Sequence, residues 1–348
     1  MTNDIARSAN PSTIPATSRE IRLASRPEGP PTAETYELVE AEVPALRPGQ
    51  VLVRNTLMSV DPYMRGRMNE GPSYIAPFAV GEPLEGSAAG QVVASADADI
   101  PVGAEVVHFA GWRELSVLDR GAATVIDTSS APASAYLGPL GTTGLTAYLA
   151  LTRFAPVEAG ETVFVSAAAG AVGSVAGQIA RLLGAGRVVG SAGGAEKARR
   201  LVDDFGFDAA IDHRAGDLPG QLAAAAPGGI DVYLDSVGGD HLEAAIGAMR
   251  DHGRIALVGA ISGYNSDDQV PGPRNLYEAV KKRITLRGMI VSDHFDAFPE
   301  YLEHAVPWLA SGQLRTAETV VEGLERAPEA LLGVLDGTNV GKMLVRIS

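Results

Sequence analysis

Thr162-Val163-Phe164-Val165-Ser166-Ala167-Ala168-Ala169-Gly170-Ala171-Val172-Gly173 is the stretch on which the fold of this chain turns. A β-branched, apolar run stops at small residues. A helical pattern then opens through Ser174, Val175, Gly177, Ile179, Ala180 and Leu183. Ala168-x-Gly170-x-x-Gly173 has the spacing of the dinucleotide fingerprint Gly-x-Gly-x-x-Gly, with alanine in the first place. That chemistry needs small residues: the turn is tight, the backbone must approach a pyrophosphate, and the helix packs close to its strand. The helix N-terminus, here Ala171, Val172 and Gly173, then offers free N–H groups to the phosphates. The competing reading is an ordinary small-residue turn in a βα unit.

Working outward, strand and helix patterns alternate. Candidate strands are 162–166, 187–190, 209–212, 231–235, 253–258 and 284–288, with helical segments such as Glu196 to Phe205 and His241 to Met249 between them. Such alternation predicts an α/β, doubly wound parallel sheet, assigned to residues 136–298. From 19 to 135 the pattern is short strands punctuated by Pro and Gly, which predicts a partly closed β-rich domain. A helix near Phe298 to Leu309 and strands near 318–321 and 342–347 are read as the chain rejoining that first domain over 299–348. At 348 residues two domains are expected. Residues 1–18, polar and without an apolar segment, read as a disordered leader.

The formal net charge of −14 argues against nucleic acid and against anionic membrane surfaces. No apolar run is long enough for a membrane span. There is no cysteine, so disulfides and thiolate zinc sites are excluded. The six histidines are scattered and form no His-x-x-x-His pair; no metal site is assigned. These features suit a cytoplasmic protein acting on a small molecule.

Further motifs stand in order. They are Val60-Asp61-Pro62-Tyr63-Met64-Arg65, Leu140-Gly141-Thr142-Thr143-Gly144, Asp235-Ser236-Val237-Gly238-Gly239, Gly259-Ala260-Ile261-Ser262-Gly263-Tyr264-Asn265 and Gly337-Thr338-Asn339-Val340-Gly341-Lys342. With the fingerprint they resemble the zinc-independent medium-chain dehydrogenase/reductases. The nearest subgroup is that of the prostaglandin/leukotriene, alkenal double-bond and curcumin reductases, and the likeness covers nearly everything after Arg19. It implies a Rossmann domain inserted into a GroES-like catalytic domain, with an active site in the cleft between them. It also implies NADPH as cofactor, reduction of the C=C bond of α,β-unsaturated ketones or aldehydes, and a homodimer. A quinone oxidoreductase of the same fold and a noncatalytic NADPH-binding protein are the rival expectations.

The site residues follow from sequence position and resemblance together. The second strand ends in Ser191-Ala192-Gly193-Gly194, where an NAD-binding sheet would carry a carboxylate for the ribose hydroxyls. Lys197 follows one helical turn later and is expected on the 2′-phosphate; otherwise it is a solvated helix residue. His213 stands where relatives carry a tyrosine near the adenosine phosphates, and Ser236 replaces a frequent asparagine. Val258, which ends the fifth strand, and Ala260 and Ser262 in the loop just after it stand at the carboxyl edge where parallel sheets bind ligands, and with Tyr264 they are expected to bind the cofactor. Tyr264, in that loop, is the expected hydrogen-bond or proton donor to the substrate carbonyl; otherwise it packs the cleft. Thr143 and Asn339 match positions near the nicotinamide and ribose. Tyr63 reads either as a pocket wall or as a core aromatic, and Phe78 and Met289 are the remaining pocket candidates.

Overall fold

The computed structural model describes residues 14–266 and 271–347. Most of the expected leader, residues 1–13, lies outside them, but Thr17 and Ser18 already belong to the strand Thr17–Leu23. Ser18 shows why: its hydroxyl accepts the Leu115 N–H at 3.0 Å, so these polar residues are tied into structure.

The run Thr162–Val165 forms a strand whose Val163, Phe164 and Val165 are fully buried, as a strand covered on both faces requires. It pairs in parallel with Arg187–Ala192 on one side and Ile230–Asp235 on the other. Ala209–Asp212 extends the sheet beyond the former. Met249–Leu257 and then Thr285–Gly288 extend it beyond the latter. The six strands, numbered by succession along the chain, thus lie in the order 3-2-1-4-5-6. That is the doubly wound dinucleotide-binding order, which reverses between its first and fourth strands. Phe164, Val189, Ile211, Leu222, Tyr233, Ile246 and Ile255 pack into one core cluster.

The fifth strand starts at Met249 rather than 253. Its register against the fourth shifts between the Ile230–Met249 and Val232–Arg254 pairs, so Arg250 to Gly253 bulge out. Polar residues in that bulge hide the strand from a pattern reading.

The chain forms two units. Of the described residues, one holds those of 138–319 and 335–342; the other holds 14–137, 320–334 and 343–347. The return to the β-rich part was expected at 299 but falls at Val320. The helix Phe298–Ala310 stays with the parallel sheet because buried Tyr301 donates its hydroxyl to the Pro139 carbonyl and packs its ring against Tyr148.

In the other unit the central strand Val51–Ser59 runs antiparallel to Ala88–Ser95 on one edge. On its other edge it meets Leu115–Leu118 and Lys342–Arg346. Glu105–His108 and Ala123–Val125 continue the sheet, and Glu318–Glu322 lies beyond Lys342–Arg346. Val51, Val53, Val92, Val106 and Leu118 form its core. Among the described residues no helix is long and apolar enough to cross a membrane.

Candidate active site

The fingerprint turn is held by steric fit. Ala167 sits at φ 46°, a conformation a side chain rarely adopts. A Cβ on Gly173 would lie 2.4 Å from the Ala167 oxygen and 2.6 Å from the Ala168 Cα, so only glycine lets helix and strand approach. Alanine is accommodated at the first fingerprint place because Gly190 faces it: a Cβ on Gly190 would come within 2.8 Å of the Ala168 methyl. At Gly170 a Cβ would meet only the Ala167 oxygen, at 3.2 Å, so the backbone there is open to a ligand. The helix Ala171–Leu182 follows with no side-chain cap from Gly170, leaving its first N–H groups for an anion.

At the end of the second strand stands a basic cluster. Lys197 donates to the carbonyls of Gly337 and Asn339, both at 2.5 Å, so it is no freely solvated residue. Arg214 donates to the Asp336 carbonyl at 3.0 Å. The ring of His213 meets that of His241 edge-on at 5.0 Å, and His241 Nε2 shares a 2.8 Å hydrogen bond with the buried Ser191 hydroxyl. Burial lowers the pKa of Lys197, with Arg214 adding to it. Burial, then Arg214, lowers that of His213. His241 is pushed down to about 4 by burial and then by His213. A Cβ on Gly193 would lie 2.9 Å from Arg214 Nε and 3.2 Å from His213 Cε1, so the turn runs against these two side chains. The nearby carboxylate, Asp212, accepts the N–H groups of Gly194 and Arg214 at 2.8 and 3.0 Å. With no carboxylate in residues 191–194, this set fits a ribose 2′-phosphate, and the open turn at Gly170 fits a pyrophosphate.

The third group lies where the strand order reverses, the usual ligand position of such sheets. Asp235, ending the fourth strand, is buried. Its Oδ1 accepts from the Tyr233 hydroxyl at 2.7 Å, the Val237 and Gly238 N–H groups at 2.9 Å, and Ser166 Oγ at 3.1 Å. The loop after the fifth strand is stitched to this knot. Val258 N–H donates to the Asp235 carbonyl, Ile261 N–H to that of Ser236, and both Ser262 N–H and Oγ to that of Val237. A short 3₁₀ turn, Ile261–Gly263, delivers Tyr264. Its phenol folds back so that its oxygen accepts the Ala260 N–H at 3.3 Å. Ser236 Oγ and Asn265 Oδ1 are buried without a hydrogen-bond partner, which marks polar capacity left for a ligand or water. Met289, buried, joins this edge by donating its N–H to the Leu257 carbonyl.

The sheet edge thus brings Ser236, Val258, Ala260, Ser262, Tyr264 and Met289 together. Thr143 turns its hydroxyl to the Gly138 carbonyl at 2.8 Å. Asn339 is buried and donates to the Gly341 carbonyl at 2.7 Å. Tyr63 and Phe78 belong to the antiparallel unit, where Tyr63 stacks on Phe109 and Phe78 lies under Arg67. Sequence reasoning missed Asp235 and His241 as organisers. The Asp235-to-Gly239 motif was a signal for the first; nothing local signals the second, since Ser191 and His241 are 50 residues apart.

Residues 19–126 match the family described as the N-terminal domain of oxidoreductase, and residues 171–310 the family described as zinc-binding dehydrogenase. Among the described residues, however, no group of three or more His, Cys, Asp or Glu is arranged to hold a metal. An Escherichia coli (strain K12) NADPH-dependent curcumin reductase is 38% identical over 94% of this chain and 96% of its own length. A Nicotiana tabacum NADP(+)-dependent 2-alkenal reductase is 42% identical over 86% of this chain and 87% of its own. The crystal structure of Vibrio vulnificus CurA in complex with NADPH matches with a TM-score of 0.90 and 39% identity, covering 95% of this chain and 99% of that one. The chain belongs to the zinc-independent medium-chain dehydrogenase/reductases, in the alkenal and curcumin reductase subgroup, and is an oxidoreductase.

Proposed function

We propose that the protein uses NADPH to reduce the C=C bond of α,β-unsaturated ketones and aldehydes. The observation that carries this reading is the state of the Tyr264 phenol. Its oxygen accepts the Ala260 N–H, so its own proton is free to be donated elsewhere. NADPH, when bound, supplies a hydride for the β-carbon of the enone. Negative charge then grows on the carbonyl oxygen, and a phenol aimed at it stabilises that charge; one such donor is worth about 2.7–4 kcal/mol. A proton delivered to the α-carbon completes the saturated product.

For the cofactor, the reading assigns Ala168 to Gly173 to the pyrophosphate and Lys197, His213 and Arg214 to the 2′-phosphate. Thr143, Ser236 and Asn339 are assigned to the nicotinamide side. Ser191 supports this set from behind, through His241. Tyr63, Phe78 and Met289 are assigned to the substrate.

We place the enzyme in the cytoplasm as a homodimer. The edge strand Thr285–Gly288, with exposed Leu276, Tyr277 and Val280 before it, supports a second copy as the partner.

The test is incubation with NADPH and a panel of enones, enals and quinones. Saturated carbonyl products from the enones and enals support the reading. Turnover of quinones alone would replace it with the rival activity.

A further inference from the structure

The basic cluster beside the second strand of the parallel sheet contains one cation that can be switched off. Lys197 and Arg214 donate to carbonyls of residues 336–339. An ammonium and a guanidinium stay charged at neutral pH, whereas an imidazole titrates there. His213 is the imidazole of the set. It is exposed, and it borders the same turn as Arg214: a Cβ on Gly193 would lie 3.2 Å from His213 Cε1 and 2.9 Å from Arg214 Nε.

Each element packed against His213 weighs on its proton. Its own turn supplies Asp212, which favours the imidazolium, and Arg214, which opposes it. The helix Ala195–Phe205 supplies Lys197, which also opposes it. The second strand supplies a hydrogen bond at the Ala192 backbone, which favours it. The helix Gly239–Ala248 supplies His241, whose ring stands edge-on at 5.0 Å. Desolvation and then Arg214 prevail, so the ring lies below its ordinary pKa and is mostly neutral at pH 7. His241 does not share the proton. It is buried, its Nε2 is tied to Ser191 Oγ at 2.8 Å, and burial holds its pKa at about 4.

An anion reverses this balance at His213, because negative charge beside the ring favours the imidazolium just as the two cations disfavour it. Lys197 and Arg214 meet a phosphate at any neutral pH; His213 meets it with full charge only after taking a proton.

We propose that His213 is a specificity residue that holds the cofactor's 2′-phosphate as an imidazolium, so that preference for NADPH over NADH is coupled to the uptake of a proton. The neutral ring takes that proton from solvent as the phosphate arrives, and its new N–H donates to a phosphate oxygen. The proton returns to solvent when the cofactor leaves. This rests on assigning the cluster to the 2′-phosphate, and the measurements separate the two.

The experiment is calorimetry of NADP⁺ and NAD⁺ binding at pH 7.0 in two buffers of different ionisation enthalpy, which counts the protons taken up. Dissociation constants are measured at pH 6.5 and 8.5 as well. The wild type should take up a fraction of one proton with NADP⁺ and none with NAD⁺. Its Kd for NADP⁺ should rise roughly tenfold from pH 6.5 to 8.5, as a one-unit rise in pKa on binding requires, while that for NAD⁺ hardly moves. His213→Gln keeps a hydrogen-bonding side chain that does not titrate, so its uptake should vanish and its Kd for NADP⁺ stay flat. The phosphate itself cannot imitate the effect. Its second pKa is about 6, and nearby cations make it release protons rather than take them up. Binding of NADP⁺ without proton uptake, or uptake untouched in His213→Gln, overturns the proposal but not the phosphate assignment. Equal affinity for NADP⁺ and NAD⁺ at every pH overturns both.

Discussion

The turns Ser166–Gly173 and Val258–Ser266 leave the same edge of one parallel sheet, yet different forces hold them. In the first, backbone meets backbone: Gly173 leaves no room for a methyl, and Ala167 is kept in a left-handed conformation. In the second, hydrogen bonds do the holding. Carbonyls of Asp235, Ser236 and Val237 receive the loop, and Tyr264 lies half-exposed on the Ala260 N–H. Steric fit admits no graded response, whereas hydrogen bonds can exchange partners when a ligand arrives. The first turn suits a constant part of a cofactor; the second suits a group whose charge changes during reaction.

Gly173→Val gives the largest expected effect. Its side chain must displace backbone atoms of residues 167 and 168, and overpacking typically costs about 1–3 kcal/mol in stability. NADPH binding should fall below detection by fluorescence titration, with a lowered thermal midpoint. A variant that binds normally would show that the turn yields, and the contrast between the two loops would be lost.

Tyr264→Phe comes next. It keeps the ring and removes the hydroxyl, so stability and NADPH affinity should hardly move. Single-turnover hydride transfer to an enone should slow by about tenfold if other donors share the role, and by roughly 10²–10³ if none does. An unchanged rate would reduce Tyr264 to packing.

Lys197→Ala sharpens the comparison at the far end of the fixed edge. The Michaelis constant for NADPH should rise roughly 10–100-fold, the value of a charge-assisted hydrogen bond of about 1.5–3 kcal/mol. That for NADH should rise less, through the freed Gly337 and Asn339 carbonyls alone. Equal rises would confine Lys197 to bracing that loop.

The smallest effect concerns pH. The folded pKa of His241, at about 4, lies below its unfolded value of 6.5, so the unfolded chain binds the extra proton first. Stability from this group is therefore present above pH 6.5 and declines as pH falls toward 4. Between pH 7.5 and 6 the loss should stay under about 1 kcal/mol. Thermal midpoints across that range should decline less in His241→Gln than in the wild type; parallel declines would show that His241 plays no part.

The parallel sheet was legible because its elements are local: β-branched runs, glycines and amphipathic helices announce themselves within a dozen residues. Tyr264 was legible for the same reason, standing just past a strand end. What could not be read were contacts joining distant segments. Nothing near Ala168 indicates that Gly190 makes room for its methyl. Nothing near Lys197 indicates that its ammonium meets carbonyls 140 and 142 residues away. The early return of the tail was misread because Tyr301 and Tyr148 pair across 153 positions of sequence.

The segment Asp336–Lys342 has a consequence for anyone who would cut this protein apart. It holds Lys197 and Arg214 by its carbonyls, and Gly341 donates its N–H to the Ala169 carbonyl at 2.7 Å inside the fingerprint turn. The cofactor unit is thus assembled from discontinuous chain, residues 138–319 and 335–342. A fragment spanning 138–319 would leave two cations without the carbonyls they bind and the turn without its brace. During synthesis, likewise, the nucleotide fold stays incomplete until residues 336–342 have left the ribosome.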